Sequence, residues 1–172
     1  MAGEHTTRAV FMGTPAFALP VLGALLDRGA QVVGVFTQPD RPSGRGKQVN
    51  APPAKRLAVE RGLPVFQPDS LRGRQVQEEL ASLAPDVVVV AAYGLLLPAR
   101  VLETPPLGCL NVHPSLLPRY RGPSPVAAAI LNGDQSTGVT IMKLDSGMDT
   151  GPIIASRECP IGERDTAEDL TA

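Results

Sequence analysis

The sequence predicts an α/β fold: a doubly wound, mostly parallel sheet with an antiparallel strand pair at its C-terminal end. Three observations predict it. First, β-branched apolar runs alternate with segments whose apolar residues recur at helical spacing, the order that builds a parallel sheet with helices on its faces. Second, Val87 to Ala92 is an unbroken apolar run, as expected of a central strand covered on both faces. Third, the last two strand-like segments, 137–144 and 152–159, are joined by a short turn-rich loop. A parallel crossover needs a dozen or more residues, so this pair must run antiparallel.

The elements follow in order. Ala9 to Met12 reads as the first strand, followed by the turn Gly13, Thr14, Pro15. Phe17, Val21, Leu22, Leu25 and Leu26 are spaced as one helical face, and Gly29 ends that helix. Gln31 to Thr37 is β-branched and apolar, a second strand. Gln38 to Pro53 is rich in Pro, Gly and charge with no periodicity. It reads as a long mobile loop, of the kind that is usually functional or disordered. A helix is expected from Ala54 to Arg61, a short strand over Pro64 to Gln67, and a helix over Gln75 to Leu83. Beyond the central strand, Pro98 to Leu102 reads as a helical turn, Gly108 to His113 as a strand, and 123–132 as a helix with proline near its start. The tail from Thr166 to Ala172 has the start of a helix, with Thr166 as cap and Asp169 three residues on.

With 172 residues, 43% apolar and 19% charged, the chain suits one globular domain with a proper core. Tryptophan is absent and aromatics make up 3%, so the core rests on Val, Leu, Ile and Ala. A net charge of −1 excludes nucleic-acid binding over the whole surface but leaves room for a local basic patch. The two cysteines, Cys109 and Cys159, make no metal-ligand pattern, and no metal is expected. They read as reduced, buried residues, which suits a cytosolic compartment. Residues 1–7 lack an apolar signal core, and no apolar run approaches the roughly 20 residues of a membrane span.

The chemistry concentrates where the 108–113 strand ends. Asn111 and His113 are two residues apart, so on a strand they share a face. Pro114 stops the ladder immediately after them. An amide donor beside an imidazole at a strand's carboxyl end meets the two demands of acyl-type transfer, oxyanion stabilisation and proton management. A third group must hold the imidazole or receive a proton. Asp149, flanked by Gly147 and Gly151, is one candidate and Asp145 its competitor, whose bland role is turn capping. Gly13 after the first strand invites a dinucleotide reading. That reading fails, because no G-x-G-x-x-G follows and no acidic residue ends the second strand. Arg41, Arg45 and Lys47 make the 38–53 segment either a solvated linker or a basic arm that closes on a polyanion.

The run from Asn111 to Pro118 (NVHPSLLP) resembles the core motif of the folate-dependent formyltransferases. Phe11 to Phe17 (FMGTPAF) and Thr37 to Lys47 (TQPDRPSGRGK) resemble, within that superfamily, the methionyl-tRNA formyltransferase family rather than the glycinamide ribonucleotide enzymes. The resemblance runs over nearly the whole chain. It implies a Rossmann-like fold and a cytoplasmic, monomeric enzyme. The formyl donor would be 10-formyltetrahydrofolate and the acceptor initiator methionyl-tRNA. Asn111, His113 and Asp149 would be catalytic, so the resemblance favours Asp149 over Asp145. Ser115, Leu116, Leu117 and Pro118 would belong to the folate site, with Tyr93 and Gly94 near the pterin. Arg45, with Arg41 and Lys47, would approach the tRNA acceptor end. The family also carries a C-terminal β-barrel that grips tRNA. By the resemblance, residues 1–172 would be the catalytic domain alone, expected to be truncated before its end inside a late helix, with the β-barrel domain absent. Other readings are a formyltransferase for a small amine, a formyltetrahydrofolate hydrolase, and a non-catalytic Rossmann-type ligand-binding module.

Overall fold

The computed structural model describes residues 6–43 and 48–171. The chain divides into two compact units, residues 1–109 and 110–172.

The first unit is built on parallel strands. β1 (Arg8–Gly13) lies between β2 (Gln31–Phe36) and β6 (Val87–Ala91), and β2 pairs on its other side with the short β5 (Val65–Phe66). All three pairings are parallel. Helices α1 (Ala18–Asp27), α2 (Pro53–Glu60), α3 (Arg74–Ser82) and α4 (Ala99–Leu102) fill the connections. Phe11, Met12, Val35, Phe36 and Val88 are buried on the strands, and Leu22 and Leu80 are buried on the helices. The Phe36 and Phe66 rings stack with centroids 4.7 Å apart. Gly34 allows this packing, because a Cβ there would run into Phe66 and Leu83 at 2.9 Å. At the other end of β1, Arg8 donates to the Leu83 and Ala84 carbonyls at 2.7 and 3.0 Å, tying the strand to the end of α3.

The connection from β1 leads to β2 on one side, while β6 flanks β1 on the other. Such a reversal opens a crevice beyond the carboxyl ends of the strands. Polar groups gather at those ends. Thr14 Oγ1 donates to Tyr93 O at 2.9 Å and accepts from Gln38 N–H at 3.4 Å, and Gln38 Nε2 donates to Tyr93 O at 3.3 Å.

The second unit is an antiparallel meander. β7 (Cys109–His113) starts at the unit boundary and pairs with β8 (Ser136–Lys143), which pairs with β9 (Ile153–Pro160). α5 (Pro125–Leu131) has Pro125 at its start and joins β7 to β8. A 3-10 turn, Asp169–Thr171, closes the described chain.

The expected fold class is what the pairings give: parallel strands, then antiparallel strands at the C-terminal end. Three element readings need correction. The 38–53 segment is not simply a loop, because β3 (Arg41–Ser43) and β4 (Gln48–Asn50) pair as an antiparallel ribbon. Its composition hid it: Pro42 and the exposed Arg41 and Val49 bury almost nothing, so no apolar alternation marks the strands. β7 joins the antiparallel set, since the return through α5 brings β8 back along it. The tail is a 3-10 turn rather than an α-helical start, although Thr166 and Asp169 do bond reciprocally, Thr166 N–H to Asp169 Oδ2 at 2.8 Å and Asp169 N–H to Thr166 Oγ1 at 3.2 Å.

Candidate active site

Asn111 and His113 stand two residues apart on β7, opposite Met142 and Thr140 of β8. His113 is 5% exposed. Its Nε2 lies 2.9 Å from Tyr120 O. A carbonyl only accepts, so Nε2 carries the proton and neutral His113 keeps its lone pair on Nδ1. Asp149 Oδ2 lies 3.7 Å from that Nδ1. That distance is too long for a direct hydrogen bond, and the two groups form an ion pair only when Nδ1 carries a proton as well.

Asp149 is held by the loop opposite it. Gly122 N–H donates to the same Oδ2 at 2.8 Å. Gly122 has φ +83°, and a Cβ there would meet Met148 Sδ at 3.3 Å. Asp149 itself sits at φ +51°, a region that Asp tolerates better than most residues. Asp145 does different work. Its Oδ1 accepts from Gly147 N–H at 2.9 Å and from Thr150 Oγ1 at 2.8 Å, closing the turn. The Thr150 hydroxyl first, and the Gly147 N–H second, hold its carboxyl below the usual range.

The 114–118 segment is pinned from β8. Thr140 Oγ1 donates to Ser115 O at 2.6 Å and accepts from Leu117 N–H at 3.1 Å. Ser115 is fully buried, with its hydroxyl donating to Arg119 O at 2.7 Å. Ser115 therefore shapes the loop. Leu116 and Leu117 are half-buried and Pro118 is exposed, after a cis Leu117–Pro118 bond. Leu116 covers Gly138 so closely that a Cβ there would meet its Cδ2 at 2.6 Å.

The remaining candidates belong to the first unit. Tyr93 is 2% exposed and follows β6; burial pushes its hydroxyl up, and that oxygen has no hydrogen-bond partner among the described residues. Gly94 has φ +85°, and a side chain there would collide with Gln38 Nε2. Arg41 is exposed on β3, whereas Arg45 and Lys47 lie outside the described residues. The structure thus brings together His113, Asp149, the Gly122 N–H and the Ser115–Leu117 loop, with Asn111 on the same strand as His113. Sequence reading passed over Thr140, Tyr120, Gly122 and Asp134. Tyr120 and Gly122 lie just beyond the quoted motif and Thr140 on an expected strand, whereas Asp134 falls between an expected helix and strand, where no local pattern marks it. Among the described residues no cluster of three His, Cys, Asp or Glu could hold a metal ion, and no helix is long and apolar enough to cross a membrane.

With parallel strands and helices in the first unit, and a strand-end imidazole beside a carboxylate in the second, the chain is an α/β protein with polar groups gathered at a strand end. The chain belongs to the formyl transferase family, whose model matches residues 7–172. It is 53% identical over 163 residues to the methionyl-tRNA formyltransferase of Methylococcus capsulatus, covering 95% of this chain and 53% of that protein. The methionyl-tRNA formyltransferase of Dehalococcoides mccartyi is 56% identical over 159 residues, covering 92% of this chain and 51% of that one. The chain therefore spans about half the length of these curated relatives. Among solved structures, the phosphoribosylglycinamide formyltransferase of Bacillus halodurans aligns with TM-score 0.77 at 29% identity, over 96% of this chain and 86% of that one. The glycinamide ribonucleotide transformylase 1 of Geobacillus kaustophilus aligns with TM-score 0.74 at 30% identity, over 96% and 89%.

Proposed function

We propose that the chain carries the formyl-transfer chemistry of a methionyl-tRNA formyltransferase. The donor is 10-formyltetrahydrofolate, and the acceptor is the α-amine of methionine on initiator tRNA. The observation that carries the reading is the His113–Asp149 contact of 3.7 Å, with Asn111 two residues away on the same strand. The identities of 53% and 56% to methionyl-tRNA formyltransferases support this acceptor.

The neutral amine attacks the formyl carbon, forming the new C–N bond and an oxyanion. The Asn111 amide donates to that oxyanion. His113 works through Nδ1, because Nε2 is occupied by the Tyr120 carbonyl. Asp149 balances the charge while a proton passes from the attacking amine to the folate nitrogen as the old C–N bond breaks. Leu116, Leu117 and Pro118 line the folate, and Tyr93 and Gly94 contribute on the pterin side. Arg41, Arg45 and Lys47 meet the tRNA acceptor end. The enzyme works as a cytoplasmic monomer.

Asn111→Ala, made in the chain extended to its relatives' length, should lower kcat by about 100-fold, the loss expected of one oxyanion donor. Near-normal turnover would remove Asn111 from that role. A second reading, a small amine acceptor such as glycinamide ribonucleotide, is favoured by the solved structures at 29–30% identity. An acceptor panel decides between the two. Formyl transfer to glycinamide ribonucleotide but not to methionyl-tRNA would overturn the first reading.

A further inference from the structure

The geometry points to Asp134 as a positioning residue for His113, acting through the Tyr120 hydroxyl and carbonyl. The inference rests on the reading of His113 as the proton-handling group. The carbonyl that accepts from His113 Nε2 belongs to a residue in an unusual conformation: Tyr120 sits at φ +55°. An aromatic residue rarely adopts that region unless its surroundings hold it there.

Three contacts hold it. The Tyr120 hydroxyl donates to Asp134 Oδ2 at 2.7 Å. Arg119 Nη2 donates to Asp134 Oδ1 at 3.0 Å and to the Tyr120 hydroxyl at 3.3 Å. The Arg119 guanidinium lies 5.2 Å from the centroid of the Tyr120 ring. Asp134 is itself fixed to the end of α5, where its N–H donates to Ala129 O at 3.1 Å and the preceding Gly133 turns at φ +68°. The anchor is therefore rigid, and its carboxylate is only 13% exposed. The Arg119 side chain is 61% exposed, so water screens its ion pair and the hydroxyl–carboxylate bond does most of the holding.

The tyrosine is thus fixed at both ends. Its hydroxyl is tied to α5, and its carbonyl accepts from His113 Nε2 at 2.9 Å, with Ser115 Oγ a longer second donor at 3.5 Å. A carbonyl in this place makes Nε2–H the neutral tautomer and leaves Nδ1 facing Asp149. Without the anchor the carbonyl drifts, and the imidazole gains the other tautomer, in which Nδ1 has no lone pair to offer.

Two-bond 15N–1H correlation spectra of the histidine rings test this directly in the chain. A His5 variant assigns the second of the two histidines. The unaltered chain should show neutral His113 as Nε2–H. Tyr120→Phe, which removes only the hydroxyl, and Asp134→Ala should both show mixed tautomers. Asp134→Asn keeps an oxygen for the hydroxyl and should restore the Nε2–H form. In the extended chain, the first two variants should lower kcat on the order of 10-fold with KM for the folate unchanged, a partial loss of acid–base assistance. If Asp134→Ala does not fold, Tyr120→Phe carries the test. An unchanged Nε2–H tautomer in folded Tyr120→Phe overturns the inference. Because the spectra need no acceptor, tautomer mixing in a protein that formylates no tRNA would sink the proposed function and leave the positioning role standing.

Discussion

Thr140 is fully buried, and its hydroxyl serves two backbone groups of the 115–117 loop at once. Thr140→Val keeps the shape and strands both Ser115 O and Leu117 N–H. Leaving such groups unpaired costs about 1–3 kcal/mol. We expect a lower urea midpoint and weaker binding of a non-hydrolysable 10-formyltetrahydrofolate analogue by calorimetry. Unchanged stability together with unchanged binding would show that the hydroxyl does not hold the loop. The sequence exposes Asn111 and His113 because a period of two is local information. It hides Thr140, whose role depends on the β7–β8 register that sets it opposite His113. The same limit applies to Asp145 and Asp149. Both lie in one glycine-rich loop, and only the fold shows Asp145 closing its own turn while Asp149 reaches Gly122, 27 residues earlier.

At the scale of elements, apolar or β-branched runs marked most strands, β9 among them although it is exposed along nearly its whole length, whereas the β3–β4 ribbon has no such run. β3 and β4 are held by backbone pairing and by an anchor at their root. There Asp40 accepts from Lys55 Nζ at 2.6 Å and from Gln67 Nε2 at 2.8 Å, and Gln67 also donates to Gln38 O at 2.9 Å. These groups lie 15 and 27 residues from Asp40, beyond the reach of any local pattern. The Gln67 amide first, and Lys55 second, hold the Asp40 carboxyl below its usual value of 3.8. A carboxyl lowered on folding adds stability above its unfolded pKa and loses it as pH falls through the lower folded one. Asp40→Asn should therefore melt below the parent at neutral pH, and the gap should close on acidification below pH 3.8. A gap of equal size at both pH values would mean that the charge contributes nothing to the anchor.

For the molecule as a whole, the charge balance constrains how a polyanion is met. At a net charge of −1 the chain offers no general attraction to RNA, so any electrostatic grip is local. The candidates are Arg41 on the ribbon, with Arg45 and Lys47 between its strands in sequence. Each phosphate contact to single-stranded RNA releases counterions and steepens the salt dependence of binding by about 0.7 in a log–log plot. Replacing all three by Ala in the extended chain should raise KM for methionyl-tRNA and flatten its dependence on salt by up to about 2 in that slope. Affinity for the folate analogue should not change, since its proposed contacts come from the Ser115–Pro118 loop and from Tyr93 and Gly94. A slope that stays the same while KM rises would turn the ribbon from a phosphate-contacting arm into a structural support. Equal loss of folate and tRNA affinity would show that the ribbon serves the fold of the first unit rather than the choice of acceptor.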